Sequence, residues 1–303
     1  MRYSNYMFHV PDEKICRVII DTDAANEGDD QFAAVHAMLS PRFDNVGFIA
    51  AHYGAENSME RSYDELLRLF SALECPFSGI IKKGAPHPLL SKSGPVVSEG
   101  SALIVEEAMK DDPRPLYVLF LGPLTDLASA YLQEPRIAGR FTAIWIGGGT
   151  YPYGNAEFNL GNDVNAVNVV FSSKLELWQV PKNVYEMMGV SFAELQYRLC
   201  GKSKAGDYLF SRIIEEIDKE SSLRSPFRTG ETWVLGDSPA VGLVLYEHRW
   251  EFDYVNAPVI GDTMEYISSK LNRPIRVYRR IDSRLILEDM YAKIALFDPA
   301  CWK

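Results

Sequence analysis

The chain contains no apolar run near the ~18 residues that a membrane-spanning helix requires. Its opening, Met-Arg-Tyr-Ser-Asn-Tyr-Met-Phe-His-Val, has no apolar stretch of the signal-peptide kind. Positive charge is also short: 31 Lys and Arg face 41 Asp and Glu, a net charge of -10. A general nucleic-acid surface needs clustered cations, so this balance argues against one, while a neutral small molecule stays open. Cysteine is scarce, and Cys16, Cys75, Cys200 and Cys301 lack the short spacings of a zinc motif or a small disulfide framework. Reduced, mostly buried thiols fit a cytoplasmic protein. No Pro/Gly/Ser linker, internal repeat or low-complexity tract interrupts the chain. What is abundant is core material: 47% hydrophobic and 12% aromatic residues exclude disorder. The simplest organisation is one domain over residues 1–303, with a helical addition near 190–235.

Short apolar runs alternate with helical patterns. Strands are expected at 16–20, 45–51, 116–121, 142–146 and 175–180, with a further strand-like stretch at 275–278. Helices are expected between them at 31–39, 57–73, 99–109, 123–131 and 164–171, and later at 205–221 and 238–246. This alternation predicts an α/β fold with a mostly parallel central sheet and helices on both faces, Rossmann-like. In such folds ligands meet the carboxyl ends of the strands. The polar motifs of the chain fall there, after Ile20, Ala51, Phe120 and Ile146.

The strongest motif is Asp21-Thr-Asp-Ala-Ala-Asn-Glu-Gly-Asp-Asp30, which crowds Asp21, Asp23, Glu27, Asp29 and Asp30 between a strand and a helix. Such carboxylates repel one another unless something positive sits among them. Helix capping accounts for Asp29 or Asp30. It does not account for Asp21 and Asp23 at the end of a buried strand. Oxygen-rich ligands at irregular spacing suit calcium, with magnesium second, and the EF-hand spacing does not fit.

This loop resembles the opening Asp-x-Asp-x-x-x-Asp-Asp of the inosine-uridine-type nucleoside hydrolases (nucleoside N-ribohydrolases). Here five residues, Ala24 to Gly28, separate the Asp pairs instead of three, which brings Asn26 and Glu27 into the loop. Leu121-Gly-Pro-Leu-Thr-Asp126, Gly147-Gly-Gly149 leading to Asn155 and Glu157-Phe-Asn159, and Trp233-Val-Leu-Gly-Asp-Ser-Pro239 resemble later family segments in the same order. The resemblance implies a nucleoside hydrolase fold and hydrolysis of a ribonucleoside, or related ribosyl compound, to free base and ribose. It implies a calcium site made by Asp23, Asp29, Asp30, Asp237 and the Leu121 carbonyl, with Asp23 also the general base. Asp21 would support the reacting centre. Asn155, Glu157 and Asn159 would hold the ribose, with Asn26, Glu27 and His52 also on the substrate side. Gly236 stands where the family often has a His that protonates the leaving base. Trp233, Tyr151 or Tyr153 could instead stack on a purine, or His52 or His87 could supply the proton. A homodimer or homotetramer is implied as well.

Two alternatives stay open. One is a hydrolase of another glycosyl substrate. The other is a non-catalytic metal- and ribose-binding nucleoside sensor, which would trap ligand without turnover.

Overall fold

The computed structural model describes residues 1–219, 230–246 and 250–303. Its strands are β1 (Cys16–Thr22), β2 (Phe43–Ala50), β3 (Ile81–Lys83), β4 (Leu116–Phe120), β5 (Thr142–Ile146), β6 (Glu176–Val180), β7 (Gly189–Ser191), β8 (Thr232–Val234), β9 (Glu251–Asn256), β10 (Val259–Ile260), β11 (Tyr266–Ile267) and β12 (Pro274–Arg280). Its α-helices are α1 (Asp30–Met38), α2 (Ser58–Ala72), α3 (Glu99–Met109), α4 (Thr125–Gln133), α5 (Phe158–Asn162), α6 (Val164–Ser172), α7 (Lys182–Tyr185), α8 (Phe192–Leu199), α9 (Lys204–Asp218), α10 (Ser238–Leu245) and α11 (Ser283–Ala295).

Eight strands form one sheet in the order β3-β2-β1-β4-β5-β6-β12-β9. Every neighbouring pair is parallel except β12 with the edge strand β9. Strand side chains alternate between faces, and here both faces are covered, so the central strands must be apolar throughout. On β1, Val18 and Ile20 enter one core with α1, α9, α10 and α11, while Ile19 enters a second core with α3, α4 and α6. The same division runs through Val118 and Leu119 of β4, and through Ala143 and Ile144 of β5. The mostly parallel sheet with helices on both faces is therefore as expected.

The expected helix at 205–221 is α9, ending at Asp218, and positions 220 and 221 lie outside the described residues. The 190–235 stretch, of which 220–229 also lies outside them, holds α8 and α9 between the short strands β7 and β8. These helices pack on α11, and α9 also packs on α1 and α2, against the same face of the sheet. Among the described residues, no helix is long and apolar enough to cross a membrane.

Candidate active site

The carboxyl end of β1 carries the acidic loop. Asp21 is still in the strand and points toward the second core, and neither of its carboxylate oxygens has a hydrogen-bond partner. Burial, then the charge of Asp126, raises its pKa well above the ordinary carboxylate range. Asp23, two residues on, faces a pocket at the strand ends together with Asn26, Glu27, Asp29, Asp30 and Asp237. Its Oδ2 is buried without a partner. Its close approach to β4 requires Gly122, because a Cβ there would lie 2.9 Å from Asp23 Oδ1.

Asp29 is the residue before α1 and makes no side-chain cap of that helix. Its carboxylate instead accepts the backbone N–H groups of Gly236 and Asp237, at the start of α10. Thr22 Oγ1 donates to Asp30 Oδ1. One oxygen from each of Asp29, Asp30 and Asp237 lies within 4.8 Å of the others. Burial pushes Asp29 up to about 6 despite its backbone donors. Burial, then the Asp29 charge, pushes Asp30 and Glu27 up to about 8. Asp23 and Asp237 are raised well above the carboxylate range for the same reasons, burial first.

The magnitudes decide what this cluster requires. Two unit charges at 4.8 Å repel by about 3–4 kcal/mol at an effective dielectric of about 20. Three such pairs approach about 10 kcal/mol, comparable with the whole stability of a domain. Among the described residues, no Lys, Arg or His lines the pocket to offset this. The residues therefore fit a hard, oxygen-seeking divalent cation: several carboxylates converge, one Asp23 oxygen is unpartnered, and no His or Cys lines the pocket among the described residues.

The opposite wall comes from the ends of β4, β5 and β6. Asn159 donates both amide hydrogens, to Leu121 O at 2.7 Å and Ile146 O at 2.9 Å, which leaves its Oδ1 as an acceptor. Glu157 caps α5 and accepts from Gly148 N at 2.7 Å, Leu160 N at 2.9 Å, Asn159 N at 3.2 Å and Tyr185 OH at 3.0 Å. Gly148 presents that N–H from a left-handed conformation (φ 86°), where a Cβ would strike Gln179 and Tyr266. Phe158 also lines the pocket and is 49% exposed.

The structure thus brings Asp23, Asn26, Glu27, Asp29, Asp30, Leu121, Glu157, Asn159 and Asp237 to one pocket. It places four other expected residues elsewhere. Asp21 lies behind the pocket wall, as described above. Trp233 is in β8, where strand alternation turns it into the core and turns Val234 toward the pocket. Asn155 is exposed and closes its own loop, accepting from Thr150 N at 2.7 Å. His52 is buried in a hydrogen-bonded chain: its Nε2 lies 2.8 Å from Thr125 Oγ1, which donates to Asp163 at 2.8 Å. Because Thr125 spends its proton on Asp163, His52 carries its own on Nε2. Of the other residues weighed for the leaving base, Tyr151 donates to Gln179 and packs edge-on against Tyr266. Tyr153 and His87 are exposed outside the lining.

Tyr185, Phe158, Ile146 and Val234 line the pocket without having been singled out from the sequence. For Tyr185 a signal existed, since it ends α7, the short helix that follows the carboxyl end of β6.

Known proteins share this architecture. A plant nucleoside hydrolase (the PpNRh1 enzyme) superposes with a TM-score of 0.74 at 17% identity, covering 92% of this chain and 99% of that one. The purine-preferring ribonucleoside hydrolase from Gardnerella vaginalis gives 0.76 at 18% identity, covering 92% and 98%. In sequence, the pyrimidine-specific ribonucleoside hydrolase RihA of Salmonella paratyphi A is 26% identical over 204 residues, 59% of this chain and 64% of that relative's length. The family model described as inosine-uridine preferring nucleoside hydrolase matches residues 18–285, and the chain belongs to that family.

Proposed function

We propose that this protein hydrolyses the N-glycosidic bond of a ribonucleoside, or a related ribosyl compound, to free base and ribose, with calcium as the cation. The observation that carries this reading is the set of four buried carboxylates, Asp23, Asp29, Asp30 and Asp237, facing one pocket. These four and the Leu121 carbonyl would hold the ion, for which magnesium is the second choice. A bound calcium ion supplies Lewis acidity toward water and a charge partner for the vicinal ribose hydroxyls.

The chain's own residues do the rest. Asp23, with Oδ2 free of other donors, takes the proton from the attacking water. Glu157, whose two oxygens each accept two donors, holds the ribose-side wall in place, and Asn159 Oδ1 is the acceptor left for a ribose hydroxyl. Water adds at the anomeric carbon as the base leaves with the bonding electrons. The carboxylates stabilise the oxocarbenium-like charge that develops between these events. Phe158 offers the departing base an apolar face, and solvent completes the protonation of the base. The relatives named above include purine-preferring and pyrimidine-specific enzymes, so both base classes are substrates to test. We further infer a homodimer or homotetramer in the cytoplasm; sedimentation of the purified protein checks the assembly.

The decisive assay is ribose release from a panel of purine and pyrimidine ribonucleosides with calcium present. Release that disappears on chelation, and falls about 10³-fold or more in Asp23→Asn with an unchanged circular dichroism spectrum, is expected. No release from any nucleoside by protein that binds calcium in a calorimeter would overturn the hydrolase reading. Retention of an unhydrolysed nucleoside in that experiment would favour the sensor.

A further inference from the structure

The lengthened acidic loop has few anchors of its own. Its internal backbone bond runs from Asn26 N to Asp23 O at 2.8 Å. Near Asp23, an anchor from outside is Gln31, in the first turn of α1, whose Nε2 donates to Ala24 O at 2.6 Å. The same nitrogen donates to Glu65 Oε1 of α2 at 3.0 Å. Glu65 is buried, accepts from Tyr208 OH and Arg68 Nη1, each at 2.9 Å, and forms an ion pair with the Arg212 guanidinium at 2.9 Å. Tyr208 and Arg212 belong to α9. That helix also lies flat against the loop, because a Cβ on Gly28 would sit 2.9 Å from Ile213 Cδ1 and 3.5 Å from Glu216 Cβ.

We propose that Gln31, held by Glu65, is a positioning residue that ties the acidic loop to α2 and α9 and thereby sets the geometry of the carboxylates for cation binding. Ala24 follows Asp23 directly, so fixing the Ala24 carbonyl fixes the Ala24–Ala25 peptide plane and limits the backbone paths open to Asp23 one residue before it. A buried Glu–Arg pair is a weak source of net stability, since desolvation offsets most of its attraction. Its contribution here is orientation: Glu65 is locked by several donors and in turn leaves Gln31 one rotamer. Second-layer contacts of this kind commonly change metal affinity by about 10- to 100-fold when removed.

The role in cation binding rests on the calcium reading above; the mechanical tie does not, and two measurements separate them. The variants are Gln31→Met, which keeps length but removes the donor, and Tyr208→Phe, which removes one donor to Glu65 and leaves the packing intact. In ion-free protein, hydrogen exchange of a peptide spanning 21–30 is expected to accelerate about tenfold in Gln31→Met, with strands β4 and β5 unchanged. Tyr208→Phe should show a smaller change in the same peptide. Calorimetric calcium affinity should fall about tenfold in Gln31→Met and severalfold in Tyr208→Phe. Unchanged exchange of the 21–30 peptide in both variants overturns the tie. Altered exchange with unaltered calcium affinity overturns its role in cation binding. If the wild-type protein binds no calcium, the cation reading and this role fall together, while the exchange data still decide the tie.

Discussion

Two buried groups of charges lie on opposite ends of α1 and behave in opposite ways. At its N-terminal end, Asp29 and Asp30 join Asp23, Glu27 and Asp237 in a pocket with no cationic side chain among the described residues, and burial drives their pKa values up. Toward its C-terminal end, His36 Nε2 meets Asp289 Oδ2 at 2.7 Å, and Lys293 bonds both Asp289 and Ser40. There burial pushes the Asp289 carboxyl up, but the His36 hydrogen bond and the Lys293 charge outweigh it and hold Asp289 below the usual range. The difference teaches that burial alone does not set the state of a carboxylate. The second group is internally neutralised and joins α1 to α11; the first is left unneutralised, and the missing charge is the ligand's to supply.

The largest test of this contrast removes one charge from the unneutralised group. Asp237→Asn should lower hydrolysis about 10³-fold, yet raise the melting midpoint of the ion-free protein by about 2–4 °C, because a repelling neighbour is gone. Ribose-release kinetics and thermal scans with and without chelator check both halves; a lowered ion-free midpoint would break the contrast. The next test titrates the neutralised group. Burial holds His36 down at about 4 in the fold, against 6.5 for the free side chain. Between those values the unfolded chain takes up a proton that the folded chain refuses, so stability is full above pH 6.5 and declines as pH falls toward 4. The loss reaches on the order of 3 kcal/mol, read by denaturant unfolding at several pH values and diminished in a His36→Gln variant. The smallest test concerns Glu157, a carboxylate neutralised by donors rather than by charge. Tyr185→Phe removes one donor, so KM should rise about threefold with kcat nearly unchanged, in steady-state kinetics. A change confined to kcat would show that Tyr185 acts on the chemical step instead.

The sheet was legible in the sequence because parallel strands buried on both faces leave continuous apolar runs, as in Val18–Ile20 and Thr142–Ile146. The short strands β3, β7 and β8 leave no such run, and the edge strand β9 is half-exposed, so they were not expected. The acidic loop was legible because its carboxylates are adjacent in sequence. Trp233 misled because it neighbours a pocket residue, and in a strand adjacent side chains point to opposite faces. Gln31, Glu65 and Arg212 carried no signal at all. Each is an ordinary helix residue, and only the packing of α1, α2 and α9 makes them one network.

The carboxylate of Asp29 is held by backbone groups of Gly236 and Asp237, roughly two hundred residues away along the chain. Closing so long a loop is entropically slow, and its contacts form only after intervening segments have condensed. A chain still emerging, or one clipped before α10, therefore holds the acidic loop without the groups that complete the pocket. Assembly of the site thus comes late in folding: the pocket is complete only when the last third of the protein has docked.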